Sequence, residues 1–265
     1  MPNPAQSPPE KNRPRPLLIL ECGGITFAKD NRHHGFGPMF LEAAPYSPDE
    51  AIVVDAVNAP LAIDLHGLRY QGVIVSGSLS MVTDPEPWAT KVMAFMKTAF
   101  DMGMPILGVC YGHQLLAEIL GGSVHYHPKG MELGSHEIVL APKAKSHPLL
   151  ADLPPAFPAY ESHSQAVARP PAGFEVLAAS KHDPHQIMAH GDNVLTCQFH
   201  PEFSTPFMDD LLEDRKAYVA PPGLPPGIAL GTEPIGDNPS RALLRRFLQH
   251  ARKFTPALPR YRLAP

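Results

Sequence analysis

Residues 108–114 read Gly-Val-Cys-Tyr-Gly-His-Gln, with an apolar run before them and a helical pattern after them. The run at 104–107 is typical of a buried parallel strand. Residues 115–120 carry apolar side chains at helical spacing, and a Gly-Gly pair then stops the helix. Glycine stands two residues from Cys110 on each side, which is the nucleophile-elbow pattern with cysteine in place of serine. A turn this tight leaves no space for side chains at the two glycine positions.

The elbow predicts that the Cys110 sulfur lies at a surface turn, at the carboxyl end of the sheet and the N-terminus of a helix. The helix dipole and the free N–H groups there favour a thiolate. The alternative is a small apolar cysteine in a core strand, which describes most free cysteines. The two glycines and the change from strand to helix favour the catalytic interpretation.

Composition limits the classes of protein that fit. A chain of 265 residues is long enough for one large α/β domain. The net charge of -4 gives no reason to expect nucleic acid or an anionic membrane as a partner. No run of eighteen apolar residues occurs, so no membrane span is expected. The three cysteines are odd in number and widely spaced, which argues against a disulfide framework and predicts a cytoplasmic protein.

The fourteen histidines lack the HxxxH or CxxC spacing of common metal sites. The His33-His34 pair and the pair His125 and His127 are weak metal candidates, and surface polar residues are favoured for both. We therefore predict no metal site and no cofactor.

Three segments are expected along the chain. Residues 1–16 are proline-rich and polar, lack the apolar core of a signal peptide, and are predicted to form a disordered leader. Residues 17–204 are predicted to form the main domain. Residues 205–265 are predicted to be a helical extension packed on that same domain.

The first half of the main domain predicts βα units. Apolar runs at 17–20, 51–54 and 72–75 indicate buried strands, and 88–102 indicates an amphipathic helix. With the elbow these make four βα-like units, which favour an α/β fold with an open, mostly parallel sheet and helices on both faces.

In the second half the sequence pattern changes from βα units to short strands, which predicts a short antiparallel section. Its expected strands, the second of them running into a loop, are at 136–140, 159–167, 174–178, 186–189 and 194–199. In the first half of the domain, a short helix is also expected near Phe40. In the extension, residues 207–218 are expected to be helical and 220–238 to be a long irregular loop. Asn238 or Ser240 is expected to cap a final amphipathic helix through Ala251.

A thiolate nucleophile needs a nearby base, and the base needs an orienting group. His200 and Glu202 follow a predicted strand with Pro201 between them, and side chains at i and i+2 share a face in extended backbone. Glu202 would then hold one imidazole nitrogen while the other faces sulfur. The alternative for His200 is a strand-end histidine that meets solvent.

The two motifs together resemble the class I (triad) glutamine amidotransferases, especially the amidotransferase domain of GMP synthase and its stand-alone relatives. The resemblance covers roughly residues 17 to 204, and segments at 75–78, 129–134 and 162–167 match in the same order. It implies a flavodoxin-like fold. It also implies hydrolysis of L-glutamine to glutamate and ammonia through a γ-glutamyl thioester.

The resemblance assigns roles residue by residue. Cys110 would be the nucleophile, His200 the general base and acid, and Glu202 the group that holds the imidazole. Backbone N–H groups would stabilise the acyl oxyanion. The matching oxyanion residues are Gly77, Ser78 and Tyr111.

The family's substrate pocket maps onto seven residues: Gln114, Gly130, Met131, Glu132, His163, Ser164 and Gln165. Glu132 is equally well read as a structural carboxylate, and His163 and Gln165 as loop caps. Ser78-Leu79 stands where the family more usually has Gly-Pro, and Ser164-Gln165 where the GMP synthase group commonly has Gly-Asp.

Three functions are consistent with these residues. The first is a glutamine amidotransferase that passes ammonia to a separate synthetase subunit. The second is a hydrolase that acts on another γ-glutamyl small molecule with the same three residues. The third is a binding or regulatory protein on a decayed fold, against which the intact Cys110, His200 and Glu202 argue.

Overall fold

A computed structural model describes residues 15–27, 30–44, 46–47, 49–58, 70–215, 227–236 and 238–254. The predicted leader lies outside these residues, except for its last two positions. The described strands are β1 (Leu17–Glu21), β2 (Gly24–Thr26), β3 (His33–Gly35), β4 (Ala51–Asp55), β5 (Gly72–Val75), β6 (Ile106–Val109), β7 (Ser123–Tyr126), β8 (Met131–Leu140), β9 (Ala156–His163), β10 (Gln165–Arg169), β11 (Glu175–Ala179), β12 (Ile187–His190), β13 (Val194–Cys197) and β14 (Ile228–Gly231). The α-helices are α1 (Phe36–Ala43), α2 (Pro87–Asp101), α3 (Tyr111–Ile119), α4 (Thr205–Asp214) and α5 (Ala242–Ala251), and 3-10 turns occur at Pro142–Ser146 and Pro239–Arg241.

The main sheet confirms the predicted α/β fold. Among the described residues its strand order is β14-β8-β11-β12-β13-β6-β5-β1-β4, with β9 paired to β8. The five strands from β4 to β13 run parallel, with β6 between β5 and β13. Strands β12, β11, β8 and β9 form the antiparallel section. The elbow strand therefore lies inside the parallel part of the sheet.

Alternate residues of β1 explain why helices cover both faces of the sheet. Leu17 and Ile19 pack in one core cluster with Phe40 of α1 and Phe247 of α5. Leu18 and Leu20 pack in a second cluster with residues of α2 and α3. All four β1 leucine and isoleucine side chains are fully buried, as expected for a parallel strand with both faces covered.

The predicted irregular loop at 220–238 is wrong in part, because β14 lies within it and pairs in parallel with residues 131–134 of β8. Glycine on both strands allows this pairing. A Cβ atom on Gly130 would clash with the carbonyl oxygen of Gly227, and one on Gly134 with that of Gly231. Both Gly130 and Gly134 have positive φ, at 88° and 94°. Residues 220–226 and 237 of the predicted loop lie outside the described residues.

The ends of the last helices are close to their predicted positions. Helix α4 begins at Thr205 because the Ser204 side chain accepts a hydrogen bond from the Phe207 N–H. The predicted continuation at 216–218 lies outside the described residues. The Asn238 side chain accepts from the Ser240 N–H at 3.0 Å and caps the turn that leads into α5. The β2–β3 hairpin was not predicted, since its strands are only three residues long.

No helix in the described part of the chain has the length and apolar character needed to cross a membrane.

Candidate active site

The elbow at Cys110 has the geometry that its glycines predict. Cys110 lies between β6 and α3 with φ 49° and ψ -100°, a conformation that L-residues rarely adopt. A Cβ atom on Gly108 would lie 2.7 Å from the carbonyl oxygen of Gly112, and one on Gly112 would clash with the Val75 backbone. Cys110 is 5% exposed, so the predicted surface turn is in fact a nearly buried one.

His200 and Glu202 follow β13, which pairs in parallel with β6. Because the carboxyl ends of neighbouring parallel strands lie at the same edge of the sheet, both residues lie beside the elbow. The His200 Nδ1 lies 2.7 Å from Glu202 Oε1. The ring of His200 stacks on Phe203 with 3.9 Å between centroids. Both polar residues are 2% exposed, so the alternative of a solvent-facing histidine does not hold.

The structure brings His200 to Cys110. The two side chains are close enough for Cys110 to raise the pKa of His200. A Cβ atom on Gly77 would lie 2.7 Å from His200 Cε1 and 3.6 Å from the Cys110 Cβ, so all three residues meet. Burial lowers the pKa of His200, but the Glu202 carboxylate and Cys110 outweigh it and raise the pKa to about 10. The imidazolium is therefore stable between sulfur and carboxylate.

The predicted oxyanion residues lie around the same point. Ser76 holds this loop against the elbow: its carbonyl accepts from the Gly112 N–H at 3.2 Å, and its Oγ donates to the Gly77 carbonyl at 2.8 Å. The N–H groups of Gly77, Ser78 and Tyr111 make no hydrogen bond to another described residue. Tyr111 begins α3, where a helix leaves its first N–H groups free.

A cleft of about 200 Å³ opens above the sulfur. Five of the seven predicted substrate residues line it: Gln114, Met131, His163, Ser164 and Gln165. Gly130 and Glu132 are not among its lining residues. Cys110, Tyr111 and Ser78 also line the cleft, so the predicted nucleophile borders it.

The family model described as "Glutamine amidotransferase class-I" matches residues 48–217. The chain belongs to the class I glutamine amidotransferases. GMP synthase from Thermomicrobium roseum is 35% identical over 192 residues, which cover 70% of this chain and 31% of that protein. GMP synthase from Mycobacterium leprae is 31% identical over 71% of this chain and 32% of that protein. The chain thus spans about a third of the length of these relatives.

Two further likenesses extend over most of the other protein. Gamma-glutamyl peptidase 5 of Arabidopsis thaliana is 26% identical over 74% of this chain and 78% of that protein. The solved glutamine amidotransferase of Thermotoga maritima superposes with a TM-score of 0.68 over 91% of this chain and 99% of that one. At 18% sequence identity, this second likeness shows the shared fold.

Arg215 is a cleft residue of this amidotransferase that sequence reasoning missed. It follows α4 and, among the described residues that line the cleft, it alone carries a permanent positive charge. Its Nε is buried and has no hydrogen-bond partner among the described residues. It lies in the extension at 205–265, whose pattern matched no motif, so only the folded chain reveals its place.

Glu132 lies behind the cleft wall. It is fully buried, with Oε2 3.0 Å from His163 Nε2 and Oε1 accepting from Ser180 Oγ at 2.7 Å. Burial raises the pKa of Glu132, but the hydrogen bonds from His163 and Ser180 outweigh it and lower the pKa. This position agrees with the structural interpretation of Glu132.

Gln165 serves both as cleft wall and as loop cap. Its Oε1 accepts from the Val82 N–H at 3.1 Å and its Nε2 donates to Thr83 Oγ1 at 2.6 Å. Its carbonyl accepts from Gln114 Nε2 at 2.7 Å. The segment at 162–165 is therefore tied both to residues 82–83 and to the elbow helix α3.

The histidine pairs differ from expectation at two positions, of which one is His34, half-buried with its ring against Phe27 and Phe207. His33 and His125 are exposed, as predicted. His127 is instead buried at 6% exposure, and its ring lies 4.0 Å from that of His182. A histidine neighbour of this kind is a packing contact that sequence spacing does not reveal.

We expect Gly77→Ala to lower kcat by about 10²-fold or more, because the new methyl group would displace the His200 ring from its position. Steady-state hydrolysis kinetics measure the effect. Gly236→Ala is the control, since a Cβ atom there meets open space and the backbone is not strained. Similar rates for the two variants would contradict the placement of Gly77 beside the reacting groups.

We expect His113→Gln to make the protein less sensitive to acid. Burial lowers the pKa of His113 to about 3, so the folded state keeps the ring neutral while the unfolded state takes up a proton below pH 6.5. The contribution of His113 to the free energy of unfolding is fully present above pH 6.5 and decreases as the pH falls towards 3. At pH 5 it is smaller by about 2 kcal/mol. Urea unfolding at pH 7.5 and pH 5 measures the difference, and exposed His125→Gln is the control. Equal losses in both variants would contradict the prediction.

Proposed function

We propose that this amidotransferase hydrolyses L-glutamine to glutamate and ammonia through a γ-glutamyl thioester on Cys110. One observation carries the proposal: the cleft residue Cys110 lies beside buried His200, and the Nδ1 of that ring lies 2.7 Å from the Glu202 carboxylate. This is a nucleophile, a base and an orienting group in mutual contact.

The chemistry follows from these positions. The Cys110 thiolate attacks the side-chain amide carbon, and the N–H groups of Tyr111 and the 77–78 loop stabilise the oxyanion. His200 protonates the leaving nitrogen, ammonia departs, and the thioester remains. His200 then removes a proton from water, the resulting hydroxide attacks the thioester, and collapse releases glutamate and returns the thiolate. Glu202 holds the ring and stabilises its charged form.

Arg215 gives the cleft a basis for recognising an acidic substrate. A guanidinium with a buried, unpartnered Nε suits a carboxylate, which it can bind in a bidentate manner. The α-carboxylate of glutamine, or the carboxylate of a larger γ-glutamyl compound, is the matching group.

We expect Arg215→Gln to raise KM by about tenfold with little change in kcat, because the residue binds substrate and takes no part in bond breaking. Arg245→Gln, on the exposed face of α5, should leave both constants unchanged. Initial rates across a substrate series separate the two constants. A fall in kcat at unchanged KM would place Arg215 in the chemistry instead.

A second candidate is hydrolysis of another γ-glutamyl compound. The observation in its favour is that the likeness to gamma-glutamyl peptidase 5 covers 78% of that protein, while the likeness to the GMP synthases covers about a third of each. The same groups would cleave a γ-glutamyl amide with an amine or peptide in place of ammonia.

A separate synthetase subunit is the partner that the first candidate implies. In Sulfolobus acidocaldarius, a glutamine-hydrolysing GMP synthase chain that is named as one subunit of its enzyme is 40% identical over 38% of this chain and 53% of that protein. We expect the isolated chain to be a weak glutaminase whose rate rises when the synthetase partner is added. The 77–78 loop, with Ser78-Leu79 in place of Gly-Pro, is where binding would turn an N–H into place.

Steady-state assays of the isolated protein on glutamine and on γ-glutamyl amines and dipeptides decide between the candidates. Slow release of ammonia from glutamine, with the amines and dipeptides inert, supports the first candidate. Fast turnover of a γ-glutamyl amine or dipeptide, with glutamine poor, supports the second. Mass spectrometry measures acylation of Cys110. If no substrate acylates it, both candidates are wrong and the binding-protein interpretation is left.

A further inference from the structure

Three buried side chains converge behind the cleft, and the reaction proposed above uses neither of the two carboxylates among them. The antiparallel register of β8 and β9 places Glu132 opposite His163. Glu161 and His163 are two residues apart on β9, so they share a face. One ligand atom from each of Glu132, Glu161 and His163 lies within 4.8 Å of the others.

Glu161 is the feature that ordinary packing does not explain. It is fully buried, and neither of its oxygens has a hydrogen-bond partner of normal geometry among the described residues. A buried carboxylate without a partner is strongly unfavourable. Its Oε2 lies 3.4 Å from His163 Nε2, and Glu132 Oε2 lies 3.0 Å from the same nitrogen.

Gln186 adds a second, independent observation. Its Nε2 donates to Glu132 Oε2 at 2.9 Å, which places the amide against the carboxylate cluster. Its Oε1 is buried and has no donor among the described residues. Glu132 thus has donors on both oxygens, whereas the Glu161 oxygens, which can only accept when ionised, have none of normal geometry among the described residues.

The contacts of His163 direct its second nitrogen at the carboxylates. Its Nδ1 lies 2.9 Å from the Gln165 carbonyl, to which only an N–H can donate. Burial lowers the pKa of His163, but Glu132 and Asp183 outweigh it and raise the pKa, so without an ion Nε2–H donates to Glu132, and a bound cation would take the place of that proton. A histidine that donates one N–H to a backbone carbonyl and directs the other nitrogen at carboxylates has the usual outer-shell arrangement of a metal ligand.

We propose that Glu132, Glu161 and His163 bind one divalent transition-metal ion behind the substrate cleft. Two carboxylates and one imidazole suit Zn²⁺ or Mn²⁺. With metal–ligand bonds of about 2.0–2.2 Å, neighbouring ligands of a tetrahedral ion lie about 3.4 Å apart, and His163 Nε2 is already 3.0 and 3.4 Å from the two carboxylates. The two carboxylates neutralise the ion.

The ion would be structural. His163 belongs to the segment at 162–165 that lines the cleft, and its Nδ1 bond fixes the Gln165 carbonyl. The ion would therefore join β8 to β9 and position one wall of the cleft. The inference does not depend on the reaction proposed above, because metal content is measured without substrate.

The competing state is a protonated Glu161. Burial, together with the neighbouring carboxylates of Glu132 and Asp183, outweighs the nearby Gln186 amide and raises the pKa of Glu161 well above its usual range. In that state Glu161 is a neutral acid that needs no cation. Replacing it by a hydrophobic residue of similar volume would then stabilise the protein, whereas loss of a metal ligand would destabilise it.

The test measures metal in the full chain. Cys110→Ala serves as the background, so that the cleft thiolate does not bind metal itself. Protein expressed with added Zn²⁺ or Mn²⁺ and purified without chelator is analysed by mass spectrometry of the metal. We expect about one ion per chain, about a tenfold lower content in Glu161→Gln, and no change in Glu137→Gln, an exposed position on β8.

Thermal unfolding gives the second measurement and does not depend on the folding of a variant. Protein refolded without metal should have a Tm several degrees below protein refolded with Zn²⁺ or Mn²⁺. Fewer than about 0.1 ion per chain with either metal and an unchanged Tm would overturn the proposal. Full metal content in Glu161→Gln, or a Glu161→Met protein more stable than its parent, would overturn it as well.

Discussion

Cys110→Ala is expected to lower kcat by about 10⁴-fold or more, because no other group can form the thioester. The fold should be retained. Alanine keeps the Cβ atom, and Cys110 lines the cleft, so deleting its one sulfur leaves a small space beside a cleft that already exists. Alanine also meets the same backbone strain at φ 49° that cysteine does. Rates at saturating substrate and circular dichroism of the variant measure the two parts of this expectation.

The other cysteines are the controls. Cys22 and Cys197 are 1% and 0% exposed and lie in the core clusters, as the sequence predicts. Burial raises the pKa of Cys22 to about 12 and that of Cys197 well above its usual range, so both remain protonated thiols. Cys22→Ala and Cys197→Ala should keep most activity and lose about 1 kcal/mol of stability each.

An electrophilic glutamine analogue tests the same assignment directly. It should label one thiol per chain, and mass spectrometry of the digested protein should place the label on Cys110. Labelling that persists in Cys110→Ala would show that a different group is the nucleophile.

The parallel half of the fold was predictable because its strands are buried on both faces. Such strands read as short continuous apolar runs, and the glycines of the elbow mark where one of them turns into a helix. The proximity of Cys110 and His200 was not predictable from spacing. It follows from the pairing of β13 with β6, a contact between segments almost ninety residues apart.

The remaining features depend on contacts that leave little trace in a local pattern. Strand β14 is four residues long and pairs through glycine backbones. Arg215 reaches the cleft from the extension, and Glu161 is buried in a strand where a polar residue ordinarily indicates the exposed face. In each case the tertiary neighbour, not the residue's own sequence context, decides its environment.

His200→Ala should lower kcat about as far as Cys110→Ala, and Glu202→Gln should be milder by about tenfold to a hundredfold. Alanine removes the ring that lies beside Cys110, and the catalytic groups act as a unit. Glutamine keeps an oxygen that can accept from His200 Nδ1, so the ring remains oriented. What it loses is the negative charge that stabilises the imidazolium.

The pH dependence separates orientation from charge. In the native site Glu202 and Cys110 overcome burial and raise the pKa of His200 to about 10, so the imidazolium persists until the pH rises through that value. Without the carboxylate, less opposes the effect of burial, and the pKa of His200 falls. The alkaline limb of the kcat/KM profile should therefore move to lower pH in Glu202→Gln, by about one unit or more.

The outcome also tests whether Glu202 acts only through His200. Its Oε1 contacts Nδ1 at 2.7 Å, while its Oε2 is buried and has no hydrogen-bond partner among the described residues. If His200→Ala and Glu202→Gln lower kcat equally, Glu202 has a further essential role, and Oε2 is the atom that would perform it. If Glu202→Gln costs nothing and the pH profile stays in place, the carboxylate does not set the charge of His200. The ring would then be oriented by its stacking on Phe203 and by the Cys110 sulfur alone.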